Sequence, residues 1–240
     1  MSFVDAPFRD YAPGTQPDND SPGYKSTLLR HPVRELLKIP QTVTELSGPQ
    51  FSADKFPPTD NLAMNHAKEA LGERIIVEGR VLDEDGRPVP HTMVEIWQAN
   101  AAGRYNHARD SHDAPLDPDF SGTGRVFTDD AGRYRFISIK PGAYPWGNHA
   151  NAWRPNHIHF SLFGPGYATR LITQMYFPGD PLLALDPIFL ATADAAARER
   201  LVSKFDLDIT TPNWALGYLF DIVLRGRQAT PMEDGHADHR

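Results

Sequence analysis

His157 and His159 stand two residues apart in the run His157-Ile158-His159-Phe160-Ser161-Leu162, where polar and apolar side chains alternate. Alternation of that period belongs to a half-buried strand, so both imidazoles leave one face while Ile158, Phe160 and Leu162 leave the other. Two imidazoles at i and i+2 can share one metal ion. Just upstream, Pro141-Gly142 and Pro145 mark an irregular loop that carries Tyr144, and Pro155 biases Arg154 toward an extended backbone. A phenol on that loop, folded back over the histidines, would add an oxygen donor and place a guanidinium nearby.

Each of these residues also has an ordinary use. A His-x-His pair on a strand serves as packing or solvent-facing residues when no further ligand stands at a fixed spacing. Tyr144, Trp146 and Trp153 serve equally as packing aromatics. Tyr105 and His107 share this double character. They lie in the long irregular passage from Asn100 to Phe120, and long loops inside compact domains often carry function.

Composition narrows the chemistry. The 240 residues include no cysteine, which excludes disulfides, iron–sulfur clusters and thiolate nucleophiles, so nitrogen and oxygen must hold any metal. Such donors suit a hard or borderline ion. Lys and Arg number 24 against 31 Asp and Glu, a net charge of −7 with no basic run, which argues against nucleic acid or an anionic membrane as partner. No apolar run approaches the roughly 20 residues of a membrane helix. The first residues, Met1 to Pro7, show neither the basic nor the apolar region of a secretory leader. The expected location is therefore cytoplasmic.

The elements that must position these residues read as strands. Ile75, Val77, Gly79 and Val81 alternate with Ile76, Glu78 and Arg80, Asp85-Gly86 turns the chain, and Val94-Glu95-Ile96-Trp97 follows. Residues 124 to 128 and 133 to 137 flank the turn Asp129-Asp130-Ala131-Gly132, and further strands are expected over 157 to 162, 171 to 177 and 218 to 224. The 22 prolines and 18 glycines are spread along the chain, as in folds of many short strands. The expected fold is all-β: an antiparallel β-sandwich catalytic domain over 71–228, an irregular N-terminal arm over 1–70 that docks on a partner, and a tail over 229–240. One short C-terminal helix is expected from about Ala193 to Phe205, and a helical turn near Pro32 to Leu37.

Taken together, these residues resemble the intradiol ring-cleaving dioxygenases from about Tyr24 to Gly226. The resemblance is carried by Trp97-Gln98-Ala99-Asn100 with Gly103-Arg104-Tyr105, by Ala114-Pro115-Leu116-Asp117-Pro118, by Ile139-Lys140-Pro141-Gly142 before Tyr144-Pro145-Trp146, by Trp153-Arg154-Pro155 before His157, and by Leu171-Ile172-Thr173-Gln174. It implies one Fe(III) per chain, held by Tyr105, Tyr144, His157 and His159, with His107 and His149 outside the set. The donor set is chemically coherent. A free phenol has a pKa of about 10, and a trivalent cation lowers it enough to bind a phenolate at neutral pH.

The resemblance further implies catalytic roles for Tyr144, which leaves the metal and accepts a proton when substrate binds, and for Arg154, which stabilises negative charge developing on the ring. The ordinary alternative for Arg154 is a structural salt bridge. Tyr24, Trp146, Gln174 and Ile188 match residues lining the family's substrate or oxygen cavity. The implied substrates are O2 and protocatechuate, opened to 3-carboxy-cis,cis-muconate, and the implied partner is a homologous α subunit in αβ pairs within a larger oligomer. The rival readings are a catechol or hydroxyquinol dioxygenase acting as a homodimer, and a non-catalytic β-sandwich binding module.

Overall fold

The computed structural model describes residues 11–34, 51–65, 68–163 and 171–233. Among the described residues thirteen strands follow in chain order: β1 (Met64–Asn65), β2 (Lys68–Glu69), β3 (Arg74–Leu82), β4 (Met93–Trp97), β5 (Thr123–Phe127), β6 (Arg133–Ile139), β7 (Tyr144–Trp146), β8 (Ala152–Arg154), β9 (His157–Phe163), β10 (Leu171–Tyr176), β11 (Lys204–Phe205), β12 (Leu216–Leu219) and β13 (Ile222–Val223). One sheet runs β10-β9-β4-β5, antiparallel throughout. The other is built around β3, with β6 antiparallel on one side and β12 on the other, and with β11 on the far side of β12. The β-sandwich is thus present, and its second sheet is mixed, because β12 and β13 both run parallel to β3.

The apolar half of each alternating strand forms the core between the sheets. Ile75, Val77, Val94, Ile96, Phe136, Ile158, Phe160, Leu162, Tyr218 and Phe220 all belong to it, and so do Leu62 and Ala63 from before β3. The expected strand over 218 to 224 divides into two pieces. At the break the Phe220 N–H donates to the Glu78 carbonyl and the Asp221 carboxylate accepts from the Arg80 N–H. Phe220 and its neighbours nonetheless keep their alternation, with Tyr218, Phe220, Ile222 and Leu224 all buried.

The helix expected over 193 to 205 is only Ala195–Glu199. Asp194 caps it by accepting from the Ala197 N–H. It stops because the following backbone is taken up by β10: the Tyr176 N–H donates to the Leu201 carbonyl and the Ser203 N–H to that of Tyr176. Helical turns also occur at Thr27–Arg30 and Pro187–Leu190, the latter capped by Asp186 with Pro at its first position. The turn expected near Pro32 to Leu37 lies mostly outside the described residues. No helix among the described residues is long and apolar enough to cross a membrane.

The described part of the arm lies on its own chain. Asp18 donates to the Ala191 carbonyl, Gly14 accepts from the Asp194 N–H, and the Asn148 amide bridges to Lys25 N–H and Gly23 carbonyl.

Candidate metal centre

Strand β9 is buried on both faces rather than one, since the sheet's outer face is covered where the histidines emerge. Across the strands His159 lies between Trp97 of β4 and Gln174 of β10, and His157 lies beside Tyr176. The covering is supplied by the segment after β4, by the β7–β8 hairpin and by the segment after β13.

The segment after β4 is organised by Asn100. Its side-chain oxygen accepts from the Ala102 and Arg104 N–H groups, its amide donates to the Pro115 carbonyl, and its own carbonyl accepts from Gly103 and Gly142. Gly103 has φ +76°, and a Cβ there would meet the Ala143 carbonyl. Only glycine therefore allows the turn before Tyr105 to press against the backbone before Tyr144. The irregular loop expected to carry Tyr144 is in part a hairpin, in which Tyr144 and Arg154 are directly opposed.

These elements gather two phenols and two imidazoles. Tyr105 Oη is 3.1 Å from His159 Nε2 and Tyr144 Oη is 3.3 Å from His157 Nε2. The phenol rings meet edge to face at 5.3 Å, and the imidazoles at 4.8 Å. Both histidines turn their other nitrogen away: His157 Nδ1 lies 2.6 Å from the Pro155 carbonyl, and His159 Nδ1 lies 2.9 Å from Glu233 Oε2. Burial, followed by the nearby Arg154 and His159, holds the His157 imidazole well below its ordinary pKa, so it is neutral with a lone pair.

This donor set fits a metal ion. Ligand atoms about 2 Å from a shared ion and at right angles to each other are separated by about 3 Å, the spacing of both Tyr–His pairs. Among the described residues there is no group of three or more His, Cys, Asp or Glu able to hold an ion, so a site here depends on the phenols. His107 and His149 are both exposed and neither is among these contacts.

Beside the four donors is a buried polar network. Arg154 is fully buried; its Nε is 3.3 Å from the Asp186 carboxylate and its Nη2 donates to Gln174 Oε1 at 2.5 Å and lies 3.3 Å from Tyr176 Oη. Burial, then the Asp186 charge, pushes the Tyr176 phenol well above its usual pKa, keeping it a donor, here to Gln174 Oε1 at 2.8 Å. With both donors on its oxygen, Gln174 leaves Nε2 buried and without a hydrogen-bond partner among the described residues. The Trp146 ring carries the Arg154 guanidinium at 5.4 Å and Tyr24 at 5.4 Å, and Tyr24 in turn lies under Arg30. Ile188 is buried, its N–H donating to the Asp186 carboxylate.

A cavity of about 400 Å³ opens onto the donors, within the range of small-ligand pockets. Tyr105, Tyr144, Trp146 and His159 line it, together with Trp97 and residues 107 and 109–113. Tyr24, Arg154, His157, Gln174 and Ile188 are outside its lining. Sequence reasoning missed Asp186 and Glu233. Asp186 stood in no expected strand or helix, and Glu233 in a segment read as a tail.

A family model described as Dioxygenase matches residues 46–226, and one described as Protocatechuate 3,4-dioxygenase beta subunit N terminal matches residues 9–42. The protocatechuate 3,4-dioxygenase beta chain of Burkholderia cepacia is 61% identical over 215 residues, covering 88% of this chain and 91% of that one. The protocatechuate 3,4-dioxygenase alpha chain of Pseudomonas putida is 31% identical over 207 residues, covering 82% of this chain and 97% of that one. Among solved structures, 3-chlorocatechol 1,2-dioxygenase from Rhodococcus opacus superimposes with a TM-score of 0.54 at 25% identity, over 70% of this chain and 64% of that one.

Proposed function

The chain belongs to the intradiol ring-cleaving dioxygenases, and on that premise we propose that it is the iron-bearing β-type subunit of an enzyme that opens protocatechuate with O2 to 3-carboxy-cis,cis-muconate. The family is iron-dependent. The convergence of Tyr105, Tyr144, His157 and His159, with both outer imidazole nitrogens already engaged, is the observation that carries the reading. These four side chains would hold one Fe(III), and when bound the ion would supply the electronic coupling between a catecholate and O2.

The chain's own residues do the rest. His157 and His159 would ligate through Nε2, with Nδ1 held by the Pro155 carbonyl and by Glu233 respectively. Tyr144, opposed to Arg154 across the hairpin, would be held as a phenolate, and its Oη is placed to accept the proton that the substrate hydroxyl gives up, becoming a phenol as it leaves the ion. Arg154, fixed by Asp186, Gln174 and Tyr176 and 5.4 Å from the Trp146 ring that lines the cavity, would supply a permanent positive charge, shielded from water, that stabilises negative charge developing on the ring. The Gln174 amide nitrogen, buried and without a hydrogen-bond partner among the described residues, would be a second donor there. Trp146 lines the cavity with Tyr24 packed on its ring, and the Ile188 N–H is bonded to the Asp186 carboxylate that holds Arg154.

The partner is a homologous α-type chain in αβ pairs within a larger oligomer, a reading supported by the separate beta and alpha relatives. Co-production with such a chain, iron analysis and product identification test the proposal. Conversion of protocatechuate to 3-carboxy-cis,cis-muconate supports it. A preference for catechol or hydroxyquinol would move the substrate, and an iron-free, inactive complex would return the chain to a binding module.

A further inference from the structure

We propose that Glu233, in the segment after β13, is a positioning residue for His159 and sets how firmly the site retains its metal. The inference rests on the iron reading above. Glu233 Oε2 lies 2.9 Å from His159 Nδ1, with the two side chains only 3% and 2% exposed. A carboxylate withdrawn from water that far needs a partner, and His159 is the side chain it meets. Accepting the Nδ1–H fixes the tautomer that leaves Nε2 with its lone pair facing Tyr105, and a carboxylate in this place strengthens the imidazole as a donor.

The two histidines are therefore held unequally. His157 is tied to a neutral backbone carbonyl, that of Pro155. His159 has a carboxylate at its edge and the Trp97 indole stacked on its face, 4.8 Å away and within 4° of parallel, so ring rotation is blocked in both senses.

Glu233 is itself anchored by backbone. Its N–H donates to the Ile172 carbonyl at 2.7 Å, the preceding Met232 N–H donates to Gln16 Oε1 at 2.8 Å, and the Pro231 carbonyl accepts from the Thr173 hydroxyl at 2.7 Å. None of these bonds uses the carboxylate. Substitution of the side chain thus leaves the segment's attachments to β10 and to the arm in place.

The test compares Glu233→Gln and Glu233→Ala with the parent, each co-produced with its α-type partner. Iron per chain, the rate of iron release to a chelator and the thermal midpoint of the iron-free complex are measured. We expect iron to be released about 10- to 100-fold faster from Glu233→Ala, and by a smaller factor from Glu233→Gln, whose amide oxygen still accepts from Nδ1–H but carries no charge. The iron-free midpoint of Glu233→Gln should equal the parent's. Release from both variants at the parent's rate overturns the inference. So does faster release that simply follows a lowered iron-free midpoint, because that is loss of packing. A parent complex that takes up no iron overturns the iron reading and this inference with it, whereas an iron-loaded parent and equally retentive variants overturn this inference alone.

Discussion

The Arg154 guanidinium lies 3.3 Å from the Asp186 carboxylate with neither side chain exposed to solvent. The pair joins the β7–β8 hairpin to the helix at Pro187–Leu190, since Asp186 also caps that helix. The structural salt bridge and the catalytic cation are thus compatible uses of one residue: Asp186 holds Nε and leaves Nη2 directed to Gln174 and Tyr176.

Removing one half of such a pair strands a buried charge. Arg154→Leu should destabilise the chain by about 3–5 kcal/mol in denaturant titrations. The double variant Arg154→Leu with Asp186→Asn should regain most of that, because no charge is then left unpaired and the asparagine oxygen can still cap the helix. Turnover should stay down about 10²- to 10³-fold in both. Recovery of turnover together with stability would leave Arg154 a structural role only.

The phenols and imidazoles should separate by what each loses. His157→Ala and His159→Ala delete a neutral donor and should lower iron per chain. Tyr144→Phe should retain iron yet slow substrate binding, since it removes both a displaceable donor and the nearest proton acceptor. Stopped-flow binding and metal analysis on the same preparations distinguish the two effects; unaltered binding in Tyr144→Phe would remove its assigned role.

Glycine substitutions test the scaffold apart from the donors. Gly103 and Gly86 both have positive φ, but a Cβ at Gly103 meets the Ala143 backbone whereas at Gly86 nothing lies within 4 Å. Gly86→Ala should cost about 1–2 kcal/mol and leave iron uptake unchanged. Gly103→Ala should cost more and also lower iron uptake, because relieving the contact moves the turn before Tyr105 away from Tyr144. Equal effects of the two on iron uptake would show that this contact does not align the phenols.

Much of the scaffold was legible because alternation survives folding. Ile158, Phe160 and Leu162 face the core as their spacing demands, and Tyr218 to Leu224 keep their face even across the break at Phe220. The break itself was not legible, because it depends on how Asp221 and the Phe220 N–H meet β3, a contact far away in sequence. The same limit hid the helix end, which β10 dictates. Of the site, the His-x-His pair and Tyr144 stood close in sequence and could be joined by pattern. Tyr105 needed the family resemblance, and Asp186 and Glu233 could be found only once their distant partners Arg154 and His159 were in place.

The arm yields the final prediction. Tyr24 and Thr27 are buried on the chain's own surface, yet Leu28, Leu29 and Val33 beside them are exposed, the last two to 88% and 89%. Leu36 and Leu37, in the helical turn expected from Pro32, lie outside the described residues. An arm that buries one side against its own domain and presents apolar side chains on the other is suited to bridging to a second chain, where a stable interface would cover them. Leu29→Glu with Val33→Glu should therefore weaken assembly with the α-type chain, seen as a smaller species by sedimentation, while Tyr24 stays packed on Trp146 and near-ultraviolet circular dichroism of the aromatics is retained. An oligomer of unchanged mass and stability would show that this face of the arm is not part of the interface.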